Sequence, residues 1–117
     1  MGFDWRGYVL LAESLSSSKD EASLRSAISR AYYGAFCLSR NYFGLSNNTG
    51  PEVHRKVSDK YAESDDEEIF YAGQCLEELR KKRNDADYNG NYDIAKEDII
   101  KVVEKSKSIV RIIDDLN

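Results

Sequence analysis

Apolar residues recur along this chain at steps of three and four. That spacing returns to the same side of an α-helix, so the pattern predicts helices. Trp5, Tyr8, Val9, Ala12 and Leu15 mark a first helix over about 4–17, ended by Ser16-Ser17-Ser18. Ser18 with Glu21 three residues on is a capping-box pattern, and opens a second helix that runs to about Phe43. Gly44 stands where a helix-ending glycine belongs. In this second helix Leu24, Ile28, Ala31, Ala35, Leu38 and Tyr42 form one stripe. Tyr32, Phe36 and Phe43 form another beside it. A helix apolar on two faces is central in a bundle or covered by another chain. Ala31, Gly34 and Ala35 are small enough for a neighbouring helix to come close.

Residues 46–50, Ser-Asn-Asn-Thr-Gly, read as a loop. Pro51 suits the first turn of a short third helix to about Ala62. Ser64 with Glu67 repeats the capping-box pattern, and acidic residues at 65–68 favour a helix start. The fourth helix runs from there to about Tyr88, on the stripe Ile69, Ala72, Leu76 and Leu79. Asn89-Gly90-Asn91 breaks it. A fifth helix, about 94–116, places Ala95, Ile99, Val102, Ser106, Ile109, Ile113 and Leu116 on one face. No segment reads as a strand. The expected fold is all-α, an up-and-down four- or five-helix bundle in one domain over 1–117.

Composition narrows the classes. The single Pro suits long helices. A net charge of −4 argues against a protein that coats nucleic acid through general basicity. Cys37 and Cys75 match no metal or redox spacing, and read as buried free thiols. One His beside two lone Cys makes no zinc site, so no metal and no cofactor is expected. With no signal peptide and no long apolar run, the expectation is a cytoplasmic protein with no membrane partner.

The most informative residue is Arg83. It is the next position on the Ile69–Leu79 stripe, so the helix turns a guanidinium inward. Desolvating that charge unpaired is expensive, so a specific partner is expected, protein or ligand. Arg80, Lys81, Lys82 and Arg83 also make a local basic run. Its plain reading is a solvated helix end, where cations complement the helix dipole.

Two strings resemble the HEPN (higher eukaryotes and prokaryotes nucleotide-binding) domain family, in its small stand-alone prokaryotic branch. Ser-Ala-Ile-Ser-Arg-Ala-Tyr-Tyr-Gly-Ala-Phe at 26–36 is similar to its central-helix signature. Arg-Asn-Asp-Ala-Asp-Tyr at 83–88 is similar to its second signature, and His54 resembles a His often found between the two. The resemblance implies a helical bundle that pairs as a homodimer around one cleft. It also implies metal-independent ribonuclease chemistry by an Arg, the polar residue after it, and a nearby His. Some relatives act as toxins beside a small nucleotidyltransferase antitoxin, and others are non-catalytic binding modules.

Carried onto this chain, Arg83 matches the Arg and Asn84 the polar neighbour, while Tyr88 stands where the His belongs. That substitution removes the natural base, since an unperturbed Tyr titrates near 10 and His near 6.5. The expected site is therefore Arg83, Asn84 and Tyr88, a degenerate motif, with Tyr32, Phe36 and Phe43 at a dimer face or cleft. Two functions are weighed. One is a toxin–antitoxin or defence protein with an RNA- or nucleotide-facing cleft and weak or absent ribonuclease activity. The other is a non-catalytic dimeric interaction or assembly module. In a purely structural alternative, Arg83 pairs with Asp87 one turn on and Tyr88 staples the helix end to its neighbours.

Overall fold

The computed structural model describes residues 2–116 and is all-helical, with five helices and no strand among those residues. Helix α1 is Arg6–Leu15, α2 Glu21–Tyr42, α3 Val53–Ala62, α4 Glu67–Tyr88 and α5 Lys96–Asp115. Each begins a little later than the periodicity suggests. The caps explain two of these starts. Asp20, not Ser18, caps α2 by accepting from the Ser23 amide at 3.1 Å. Asp66, not Ser64, caps α4 by accepting from the Glu68 and Ile69 amides. Each serine sits two residues upstream and accepts from the amide of the capping Asp, at 3.1 Å in both cases. Each capping carboxylate thus meets helix-start amides, and the serine holds the turn leading into it. Pro51 lies in the turn before α3, not in its first turn.

The end of α2 is as expected. Gly44 has φ +74°, the Leu45 amide donates to the Arg40 carbonyl at 2.9 Å, and the Gly44 amide to that of Asn41 at 3.1 Å. That is a Schellman closure, which needs a residue tolerant of positive φ.

Helix α2 lies against all four other helices, whereas α3 lies against α2 and α4 only. The small residues of α2 make this possible. A Cβ on Gly34 would stand 2.8 Å from Val9 Cγ2 and 3.0 Å from the Trp5 carbonyl oxygen, so α1 crosses there. On another side, Ser106 of α5 donates from its hydroxyl to the Ala31 carbonyl at 2.8 Å, wholly buried. One continuous core includes Ile28, Ala35, Val57, Leu76, Leu79, Val102, Ile109 and Ile113. Cys37 and Cys75 are buried free thiols within it.

The second stripe of α2 is the main departure from expectation. Tyr32 and Phe36 are 1% and 4% exposed within the single chain. Helix α3 covers them: the His54 ring stacks on Phe36 at 4.3 Å and on Tyr32 at 5.6 Å. Phe43 meets the Tyr61 ring edge-on at 4.8 Å. At Tyr32 and Phe36 the expected dimer face is therefore an intramolecular seam, because a short helix of the same chain covers them, whereas Phe43 stays half-buried.

Candidate functional site at the end of helix α4

Leu76 and Leu79 are buried, and the same stripe carries Arg83 into the seam between α4 and α2, where its side chain is 12% exposed. Its partners come from two helices. The Nε lies 3.0 Å from Asp87 Oδ2, but its N–H is not aimed at that oxygen. This is an ion pair without a hydrogen bond, and the proximity is enough to keep the charge compensated. One terminal nitrogen donates to Asn84 Oδ1 at 2.9 Å. The other donates to the Tyr33 hydroxyl, and reaches Tyr88 Oη at 3.5 Å, the outer limit of such a bond. Asp87 is itself held from α2 by the Ser29 hydroxyl at 3.1 Å.

Three tyrosine rings surround the guanidinium. Their centroids lie 4.8 Å (Tyr33), 5.3 Å (Tyr88) and 5.8 Å (Tyr32) from its central carbon. Each is within range of cation–π attraction. Tyr32 and Tyr33 are fixed by the fold. Tyr88 is 75% exposed, so it does not staple the helix end to its neighbours; its ring lies back over Arg83 from the solvent side. Asn84 is also exposed. The three motif residues thus come together, with Arg83 inside and Asn84 and Tyr88 outside.

Three contributors were not visible in the 83–88 string. Tyr33 reaches Arg83 from α2, a placement that depends on how α2 and α4 cross. The second is Arg25. It donates to the carbonyls of Asp85, Ala86 and Asn89 from one terminal nitrogen, and to Tyr92 at 2.9 Å from the other. Glu21 pairs with its Nε at 3.1 Å. A cation at the C-terminal carbonyls of α4 meets both their unsatisfied acceptors and the helix dipole. The cation that does this is Arg25 of α2, not the 80–83 run, which lies short of the last turn. Its spacing from Glu21 is the one signal the sequence offered.

The third is His54. It enters from the start of α3 and stacks beside Tyr32, whose ring also lies 5.8 Å from the Arg83 guanidinium carbon. Tyr32 Oη bonds to His54 Nδ1. Burial holds His54 below its ordinary value near 6.5; the charges of Arg80 and Arg83 add to this, and Glu77 opposes it. Burial likewise pushes the Tyr32 hydroxyl well above the ordinary tyrosine range, so it stays protonated. A surface groove of about 840 Å³ runs between α3 and α4 with Arg55, Lys56 and Arg80 in its wall, but not Arg83. Glu52, Asp59 and Glu77 line it too, so it carries no net charge.

Searches against protein-family models, curated proteins and solved structures find no match for this chain. No helix among the described residues is long and apolar enough to cross a membrane.

Proposed function

We propose that this chain is a HEPN-like protein of a prokaryotic toxin–antitoxin or defence module, with an RNA- or nucleotide-facing site at Arg83 and Asn84. The observation that carries this reading is the setting of Arg83. A guanidinium drawn into a seam, ringed by three tyrosines and beside the exposed Asn84 and Tyr88, suits recognition of a phosphate next to a base. Ribonuclease activity is weak or absent in this reading. Tyr88 stands where the His of the motif belongs, and His54 is engaged with Tyr32. The test is fluorescence anisotropy of a labelled single-stranded RNA at low salt. Binding should weaken at least tenfold in Arg83→Ala, and incubation with EDTA should not alter it. Equal binding by both proteins, or none by either, would dismiss the reading.

The second reading is a non-catalytic interaction module. What favours it is that Asp87, Asn84 and Tyr33 already occupy Arg83. A homodimer, or a complex with a small nucleotidyltransferase, belongs to either reading and would use a face other than Tyr32 and Phe36. Light scattering after size exclusion tests the homodimer; a 13.3 kDa particle at micromolar concentration would exclude it.

A further inference from the structure

The start of α1 gathers three aromatic rings that the Arg83 site does not use. Phe3 meets Trp5 edge-on at 4.9 Å, Trp5 meets Tyr8 edge-on at 5.3 Å, and Phe3 lies 5.2 Å from Tyr8. Phe3 is 57% exposed, and Trp5 and Tyr8 are half-buried. The close crossing of α1 and α2 fixes their places. A Cβ on Gly34 would stand 3.0 Å from the Trp5 carbonyl oxygen and 3.1 Å from Tyr8 Cβ, so both residues lean on α2.

Two arginines of α2 lie over these rings. The Arg30 guanidinium carbon stands 4.7 Å from the Tyr8 centroid, and that of Arg40 5.9 Å from the Trp5 centroid. Both are within cation–π range. Neither has an acid to pair with. Among the described residues Arg30 makes no hydrogen bond and no ion pair, and Arg40 makes one hydrogen bond, from Nε to Asn41 Oδ1 at 3.3 Å. Asp4, the acid next to Phe3, is taken by Arg6 at 3.1 Å. A guanidinium resting on a ring keeps its in-plane N–H groups free, as a fork that suits a phosphate. An apolar partner laid over the rings would desolvate both charges without compensation, which is costly. A nucleic acid strand brings flat bases for the rings and phosphates for the charges.

We propose that Phe3, Trp5 and Tyr8, with Arg30 and Arg40, form a stacking platform for a single nucleic acid strand, its bases on the rings and its phosphates on the guanidiniums. The platform goes beyond the reading above and stands without Arg83. The two surfaces are neighbours on α2. Tyr33, which accepts from Arg83, stands three residues after Arg30 and seven before Arg40, steps that return to one side of a helix.

Trp5 is the one tryptophan of the chain, so its emission, excited where tyrosine does not absorb, reports on this face alone. The probes are a short labelled single-stranded RNA and a sugar–phosphate oligomer of equal length without bases, both at low salt. RNA should quench Trp5, and the oligomer without bases should not. Replacing both arginines, Arg30→Gln with Arg40→Gln, keeps the stems and should weaken the quenching titration by about tenfold or more. Phe3→Ala, at the exposed edge, should weaken it by about tenfold, the worth of one stacked base. Circular dichroism checks that each variant is folded. Lys60→Gln, an exposed cation on α3, should titrate like the unaltered protein. Equal quenching by the oligomer without bases, or an unchanged titration in the double variant, overturns the platform. RNA bound by anisotropy in an Arg83-dependent way, with Trp5 emission unmoved, overturns the platform alone. Quenching with equal affinity in Arg83→Ala keeps the platform and dismisses the Arg83 reading. No binding by either readout dismisses both. A dimer in light scattering that Phe3→Ala splits assigns the rings to a second copy and overturns the proposal.

Discussion

At Arg83 one side chain satisfies packing and charge together. Its aliphatic stem continues the Leu76–Leu79 stripe, and its head meets an acid, an amide and a phenol. Arg83→Ala should cost about 1–3 kcal/mol, because Asp87 and Tyr33 lose a charged partner in a half-buried seam. Urea unfolding measures it; a loss below about 0.5 kcal/mol, the size of an ordinary surface change, would contradict the seam. His54 sets a pH dependence. Its folded value lies below its unfolded one, so the unfolded chain binds the proton more readily. Stability is then full above about pH 6.5, and falls as pH drops from there through the lowered value. Urea midpoints at pH 7.5 and about 5.5 should show that loss, and His54→Gln should flatten it. The inward turn of Arg83 was legible from periodicity alone. Its partners Tyr33, Asp87 and Tyr88 were not equally so: Asp87 lies one turn away, while Tyr33 is brought in by the crossing of two helices.

At the scale of elements, four of the five helices could be read from the three- and four-residue spacing, and α3 only from Pro51 and the polar loop before it. Their starts were less legible. Ser and Asp occur together before α2 and α4, and only geometry decides which side chain meets the free amides. The fate of the second α2 stripe was hidden for a different reason. Helix α3 buries only Val53, Val57 and Tyr61, too few to announce which surface it covers. Close approach at Gly34 gives a sharp test. Alanine there gains about 1 kcal/mol in helix propensity, but its methyl meets a backbone carbonyl and Val9. Overpacking costs about 1–3 kcal/mol, so Gly34→Ala should be destabilising on balance. Thermal unfolding followed by circular dichroism would show a lower midpoint; an unchanged or higher one would mean that α1 shifts freely.

For the molecule as a whole, net charge and local charge point in opposite directions. The chain carries −4, yet Arg83 sits alone among the 80–83 cations in the α2–α4 seam, its side chain 12% exposed. Binding to a nucleic acid strand should then be local, with few phosphates neutralised. For two contacts to single-stranded RNA, log K should fall against log salt with a slope of about −1.4. Anisotropy titrations at several salt concentrations give it directly. A slope several times steeper would require a wider basic surface than this fold presents.

Because α2 touches every other helix, it also shapes how the chain can reach this structure. No pair of the remaining helices completes the core without it. The sequence-adjacent partner α1 closes on it over a short loop, and the pairing of α2 with α5 must span most of the chain. The folding transition state should therefore be built on α2. Conservative truncations at Ile28 should slow folding with φ near 0.5–0.8, while Val57→Ala in α3 should mainly speed unfolding, with φ below about 0.3. Helix α3, and with it the His54 ring that covers Tyr32 and Phe36, would then be the last part to dock and the first to leave.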